Sequence, residues 1–213
     1  MVALTEKTLT PPENQIKYYS PEEYLILEEK AETKNEYRNG EIIPMAGATI
    51  NHNRISGNIY AHLNFFLRDK NAEVFMSDVK VFIPEENIYT YPDVMIVRDN
   101  PIYQNDSKTI ITNPLIIIEV LSLSTQDYDR GQKFKYYRSL ESLQEYILID
   151  QYQCAIEQFA KNEQGKWVLT EYKKREEKLL LESIAWEIPL TDIYQRVEFI
   201  SKPENAKSES EKS

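Results

Sequence analysis

The stretch at 115–121, Leu-Ile-Ile-Ile-Glu-Val-Leu, most constrains the fold, because apolar residues occupy both of its alternating faces. Such a run predicts a β-strand that is covered on both sides. Residues 125–140 then follow a helical pattern, and 146–149 form a second apolar strand. A strand, a crossover helix and another strand predict a parallel pair with a right-handed connection. The predicted class is therefore α/β or α+β, with a central mixed sheet flanked by helices.

The remaining segments predict additions at both ends of this unit. Ser20-Pro21-Glu22-Glu23 combines an N-cap residue, a proline at the first helical position and first-turn acids, which indicates the start of a helix. Asn39-Gly40 predicts a tight N-terminal hairpin. A long helix is expected over 51–67. Strands are expected over 74–83, 93–97, 155–159 and 167–172.

These patterns lead to a definite arrangement. We expect the strands that contain Val81, Val94 and Ile117 to be adjacent in one sheet. The helix over 55–66 and the helix over 133–137 should flank that sheet. The chain divides into a flexible segment over 1–19, a single domain over 20–200 and a disordered tail over 201–213, because the tail is polar and has no aromatic residue.

Charge and cysteine content exclude several classes of protein. Lys and Arg total 25 against 35 Asp and Glu, so a net charge of −10 excludes a protein that binds nucleic acid through bulk positive charge. The single cysteine, Cys154, cannot form an internal disulfide or a thiolate zinc site, which favours a reducing compartment. No apolar run approaches the roughly 18 residues of a membrane span. A cytoplasmic protein with no membrane partner is expected.

Carboxylates at strand positions are the first candidates for chemistry. Glu119 interrupts the apolar run, and a charge there is costly unless it is paired, hydrogen-bonded or bound to a cation. Asp93 follows Pro92 at the start of another short strand. If the two strands are neighbours, both carboxylates meet at one point, which suits Mg²⁺. The alternative is that Glu119 pairs with a core Lys or Arg while Asp93 caps a turn.

The helix after this strand carries the second candidate group. Asp129, Lys133 and Tyr137 recur at intervals of four residues and share one helical face. Its cations are Arg130, Lys133, Lys135 and Arg138. This local positive charge either meets phosphate or belongs to a solvated helix with salt bridges.

The ordered set Pro92-Asp93, Glu119-Val120-Leu121-Ser122 and Asp129-x-x-x-Lys133-x-x-x-Tyr137 resembles a restriction endonuclease family within the PD-(D/E)XK nuclease superfamily, long classed only as a domain of unknown function. The resemblance covers roughly residues 20–195, and Glu36 ahead of Asn39-Gly40-Glu41 also fits it. It implies a restriction-endonuclease-like core with Asp93 and Glu119 as metal ligands.

One departure concerns the lysine of the superfamily, which normally lies two residues after the acidic residue. That position is Leu121 here. Similar families carry the lysine on the following helix, which makes Lys133 the first candidate and Lys135 the second. Asp78-Val79-Lys80 also has an acid-x-lysine pattern, but its order relative to Pro92-Asp93 is wrong, so Lys80 is at most a further residue of the same cleft.

The resemblance therefore predicts Mg²⁺-dependent hydrolysis of DNA, with Mn²⁺ as a substitute ion. Asp93, Glu119 and the backbone carbonyl of Val120 would hold the ion, and Lys133 would act on the attacking water or the phosphate. The possible additional residues are Glu36, Glu41, His52, Lys80 and Tyr137. The expected DNA-phosphate contacts are Arg130, Lys135 and Arg138. A homodimer is expected, and the alternative function is a non-catalytic nucleic-acid- or protein-binding module on the same fold.

Overall fold

The computed structural model describes residues 17–105 and 107–199. The disordered tail predicted over 201–213, and residues 1–16 of the flexible segment predicted over 1–19, lie outside this part of the chain. The helices are α1 (Pro21–Glu28), α2 (Ile50–Leu67), α3 (Gln126–Tyr128), α4 (Phe134–Tyr137) and α5 (Leu190–Ile193), with 3₁₀ turns at Pro84–Glu86 and Glu182–Ile184. The strands are β1 (Asn35–Arg38), β2 (Glu41–Pro44), β3 (Ala72–Met76), β4 (Lys80–Ile83), β5 (Ile88–Thr90), β6 (Val94–Arg98), β7 (Ile110–Ile111), β8 (Ile116–Leu121), β9 (Glu145–Asp150), β10 (Ile156–Lys161), β11 (Trp167–Tyr172), β12 (Lys178–Leu181) and β13 (Trp186–Pro189).

A six-stranded mixed sheet in the order β11-β10-β9-β8-β6-β3 forms the centre of the fold. All six residues of β8 are buried, as its uniform apolar sequence predicts. β8 pairs in parallel with β9, which confirms the predicted crossover unit, and antiparallel with β6 through Val94 opposite Ile118. β6, which Asp93 directly precedes, and β8, which carries Glu119, are therefore neighbours.

Helices cover both faces of this sheet. On one face, Ile55, Ile59 and Leu63 of α2 pack into a core that also contains Ile118, and the β12–β13 hairpin and α5 complete this layer. On the other face, Phe134 and Tyr137 of α4 pack in a core that contains Ile117 and Leu121. The predicted flanking of the central sheet by these two helices is confirmed.

The strand that contains Val81 corrects the predicted arrangement, because it belongs to a different sheet. The single strand predicted over 74–83 is interrupted at Ser77. This residue has a left-handed φ of 57°, which a continuous strand cannot accommodate. β3 stays in the central sheet, whereas β4 joins a five-stranded sheet in the order β2-β1-β5-β4-β7. Val81 packs against the face of the central sheet, in the same core as Met95 and Ile117, instead of pairing within it.

The N-terminal hairpin forms as Asn39-Gly40 predicts. Both residues have positive φ, 48° and 105°, which matches the two central positions of a tight hairpin turn. A Cβ at Gly40 would lie 2.7 Å from Cδ1 of Tyr18, so only glycine fits there. The hairpin places β1 at the centre of the second sheet's antiparallel part, between β2 and β5.

The helix predicted over 125–140 is interrupted by a π-helical turn at Asp129–Lys133, between α3 and α4. A π-turn inside an α-helix is rare and occurs frequently at functional sites. It buries both Asp129 and Lys133. Within the described ranges, no helix is both long enough and apolar enough to cross a membrane.

Candidate functional site

Asp93 contacts β8 at the end of the hydrogen-bonded pairing between β6 and β8. Asp93 directly precedes β6, and its Oδ2 accepts a hydrogen bond of 2.7 Å from the backbone N–H of Val120. The N–H and the carbonyl of one strand residue point to the same side of the strand. The carbonyl of Val120 is therefore directed toward the edge at which Asp93 lies.

Glu119 projects from the neighbouring position of β8 into the layer under α4. It is 3% exposed. Its Oε1 accepts hydrogen bonds from Lys133 Nζ at 2.8 Å and from the hydroxyl of Tyr137 at 3.1 Å. Burial raises the pKa of Glu119, the ammonium of Lys133 acts in the opposite direction, and the charge of Asp93 adds to the rise. The effect of Asp93 indicates electrostatic repulsion between the two carboxylates.

Lys133 is surrounded by three carboxylates. Its Nζ lies 2.8 Å from Glu119, 3.6 Å from Asp129 and 3.7 Å from Glu36. Burial lowers the pKa of Lys133, but Glu119, Tyr137, Glu36 and Asp129 outweigh that effect and raise it well above the ordinary value. Lys133 therefore keeps its proton. The expected direction of its side chain, toward Glu119, is confirmed.

Glu36 reaches this group from the second sheet. Its Oε1 accepts a hydrogen bond from the hydroxyl of Thr90 on β5, and its Oε2 lies 2.5 Å from Nη2 of Arg38. Burial raises the pKa of Glu36, but Lys133, Thr90 and Arg38 together lower it below the ordinary value. Glu36 is thus a buried anion that connects the two sheets through Lys133.

His52 contacts Asp93 from the first turn of α2. Its Nε2 lies 3.1 Å from Oδ2 of Asp93, and its backbone N–H donates to the N-cap hydroxyl of Thr49. Gln151, directly after β9, holds this turn in place: its Oε1 accepts a hydrogen bond from the hydroxyl of Thr49, and its Nε2 donates to the carbonyl of Leu121 at 2.7 Å. Sequence reasoning missed Gln151. Its only signal was a polar residue directly after an apolar strand.

Two of the additional candidates lie elsewhere. Glu41 begins β2 and makes no contact with Glu119 or Lys133 among the contacts of the described residues. Lys80 lies over the ring of Tyr91, with its Nζ 5.1 Å from the ring centroid, and burial lowers the pKa of this lysine. The structure does not bring either residue to the carboxylate group.

The three candidate phosphate contacts differ in their surroundings. The Nε of Arg130 lies 2.9 Å from Glu157 of β10, so this arginine is ion-paired. Arg138 is exposed and its guanidinium lies 4.8 Å from the ring centroid of Phe134. Lys135 is exposed, as expected from its position on the opposite side of the helix from Lys133.

The oxygen atoms at the site suit a metal ion that keeps several bound waters. Within residues 17–105 and 107–199, no three His, Cys, Asp or Glu side chains form a group that could hold a metal ion by themselves. Asp93, Glu119 and the carbonyl of Val120 offer oxygen donors only. Lys133 and Tyr137 both bind Oε1 of Glu119, which leaves Oε2 for an ion. Mg²⁺ usually takes one or two carboxylates and several waters, so these residues fit it.

Known structures and sequences resemble this chain over most of its length. A crystal structure of a putative nuclease belonging to DUF820 from Anabaena variabilis superimposes with a TM-score of 0.67, at 18% identity, and covers 81% of this chain and 96% of that one. This likeness shows that the two proteins share a fold.

Two uncharacterized proteins of Synechocystis sp. are similar in sequence. One, sll1609, is 42% identical over 171 residues, which is 80% of this chain and 91% of the relative. The other, slr1290, is 36% identical over 180 residues, which is 84% of this chain and 93% of the relative. A family model described as "Uma2: Putative restriction endonuclease" matches residues 21–191. The chain belongs to the Uma2 family.

Proposed function

We propose that this protein is a Mg²⁺-dependent DNA endonuclease, with Mn²⁺ as a substitute ion. Asp93, Glu119 and the carbonyl of Val120 would bind the ion. The observation that carries the proposal is the 2.8 Å contact between Lys133 Nζ and Glu119 Oε1. A buried lysine that touches a strand carboxylate, beside a second carboxylate on the neighbouring strand, supplies the three groups that this chemistry needs.

The ion, when bound, would polarise a phosphate oxygen and lower the pKa of a bound water. Lys133 would stabilise the negative charge that develops on the phosphate, because its raised pKa keeps it protonated. That direction argues against Lys133 as the base that removes the proton of water. Tyr137 would hold Oε1 of Glu119, and Glu36 would hold Lys133 from the opposite side.

The same proposal names the macromolecular partners. Lys135 and Arg138 are exposed on the helix that carries Lys133, so they are the better candidates for contacts to DNA phosphates. Arg130 would first have to leave Glu157. A homodimer would place two sites on the two strands of a duplex, and light scattering at working concentration tests this assembly.

Cleavage of plasmid DNA tests the function directly. We expect the wild type to cut in Mg²⁺ or Mn²⁺, and Asp93→Ala to lose cleavage because a metal ligand is gone. Asp78→Ala is the matched control, since its side chain is 85% exposed and its ion pair with Lys34 lies outside the site. A wild type that binds DNA but never cuts it would support the non-catalytic binding module instead.

A further inference from the structure

Arg38 and Tyr128 form a pair at the outer end of the Lys133 site. The guanidinium carbon of Arg38 lies 3.7 Å from the ring centroid of Tyr128, which places the cation on the face of the ring. Nη2 of the same guanidinium contacts Glu36, which in turn lies 3.7 Å from Lys133. The two contacts fix the plane of the Arg38 side chain, which is 26% exposed.

Both members of the pair carry hydrogen-bond donors that the described part of the chain leaves unused. Nε of Arg38 and the hydroxyl of Tyr128 are buried, and neither finds a hydrogen-bond partner anywhere in 17–105 or 107–199. A buried donor without a partner is costly, and native proteins keep few of them. Burial raises the pKa of Tyr128, and the nearby charge of Glu36 adds to the rise, so the hydroxyl keeps its proton as a donor.

An oxygen anion is the ligand that fits these donors. A planar guanidinium held against an aromatic ring presents its remaining N–H groups in a rigid fork, which matches phosphate geometry. Glu36 occupies one edge of Arg38 and prevents a second protein carboxylate from taking the same edge. The chain of contacts from Glu119 through Lys133 and Glu36 ends at this pair, so a ligand here would lie beside the proposed reaction site.

We infer that Arg38 and Tyr128 bind a phosphate of the DNA backbone next to the phosphate that the Asp93–Glu119 site would hydrolyse. This inference rests on the proposed function, since it takes DNA as the substrate. Arg38, whose side chain is 26% exposed, supplies a charge-assisted contact. The hydroxyl of Tyr128, which is buried in the free protein, supplies a neutral contact after a local side-chain movement admits the phosphate. Neither residue would take part in bond cleavage.

The salt dependence of DNA binding tests the role of Arg38. Binding of a labelled short duplex is measured by fluorescence anisotropy over a range of salt concentrations, with Ca²⁺ as the ion and gel analysis to verify that the DNA stays intact. Loss of one phosphate contact lowers the slope of log K against log salt by about 0.9. We expect this change in Arg38→Gln, together with about tenfold weaker binding or more.

The control variant is Arg68→Gln. Arg68 is an exposed arginine that also lies near an aromatic ring, 5.3 Å from the centroid of Phe65, but it follows the far end of α2. Its loss removes the same charge from the chain and should leave the slope unchanged. A purely structural role for Arg38, holding Glu36 in place, would also leave the slope unchanged. An Arg38→Gln slope equal to that of Arg68→Gln therefore overturns the inference.

Two further variants keep the inference testable even where Arg38→Gln does not fold. Arg38→Lys keeps the charge, so we expect the wild-type slope with weaker binding because the fork is lost. Tyr128→Phe keeps the ring and should weaken binding about threefold or more with no change of slope. Unchanged affinity in both variants overturns the inference. A wild type that binds no DNA would overturn both the inference and the proposed function. A wild type that binds DNA, with variants that bind it equally well, would overturn the inference alone.

Discussion

Nζ of Lys133 lies 2.8 Å from Oε1 of Glu119, although the two residues come from a helix and a strand on either side of a turn. Leu121 occupies the strand position, two residues after Glu119, at which the PD-(D/E)XK superfamily normally has a lysine. Its side chain is buried with Phe134 in the core between the sheet and the helical segment. Apolar packing therefore fills the strand position, and the amine reaches the carboxylate from the helix.

Replacement of Lys133 should abolish cleavage and also destabilise the fold. Lys133→Met keeps most of the volume but leaves the carboxylates of Glu119, Asp129 and Glu36 without their shared cation. Removing one partner of a buried ion pair costs about 3–5 kcal/mol. We expect a loss of this order in the free energy of unfolding, measured with urea at pH 7.

Lys133→Arg separates charge from shape at the same position. It restores the positive charge and should recover part of the stability, but little cleavage, because a guanidinium does not fit a site built for an ammonium. Wild-type cleavage by Lys133→Met would remove Lys133 from the mechanism.

Mg²⁺ should stabilise the wild type through Asp93. An ion that binds only the folded state raises the free energy of unfolding by about 2.7 kcal/mol at a concentration one hundred times Kd. We expect Mg²⁺ to raise the melting temperature of the wild type and of Asp78→Ala, measured by calorimetry. Asp93→Ala should show no such rise. An equal rise in all three proteins would place the ion elsewhere.

The sequence predicted those parts of the site that local pattern and strand pairing determine. Adjacent strands bring Asp93 to β8, and helical spacing turns Lys133 inward while Lys135 stays exposed. It did not predict the contact of Glu36 with Lys133, because the two belong to different layers and only the path of the chain brings them together. The break at Ser77, which sends β4 into the second sheet, depends on one backbone angle that the alternating pattern of the surrounding residues does not reveal.

Glu36 should contribute stability that disappears in acid. Its pKa in the folded state is lowered, whereas an unfolded glutamate has a pKa of about 4.3. A lowered folded pKa means that the unfolded state binds the proton more readily, so the contribution is complete above the unfolded value and is lost as the pH falls through the folded value.

The comparison of wild type with Glu36→Gln isolates this effect. The difference in the free energy of unfolding, measured with urea from pH 7 to pH 3, should be constant above about pH 5 and should shrink below about pH 4.3. Glu171→Gln is the matched control, because Glu171 pairs with Lys173 at a largely exposed site. A difference for Glu36→Gln that stays the same down to pH 3 would contradict the role of Glu36 as a buried anion.

Gln151 should fix the position of the α2 N-terminus relative to β8. Both ends of its buried amide are used, one by the carbonyl of Leu121 and the other by Thr49, the N-cap of the helix that carries His52. Gln151→Ala removes the donor to the buried carbonyl of Leu121, at a cost of about 1–3 kcal/mol for a buried group that stays unsatisfied. Thr49, an exposed residue, loses one partner but still accepts from the N–H of His52. Gln151→Glu keeps the acceptor for Thr49 but loses the donor to Leu121. We therefore expect both variants to be less stable in urea. Stability unchanged in Gln151→Ala would show that this link between the two elements contributes nothing.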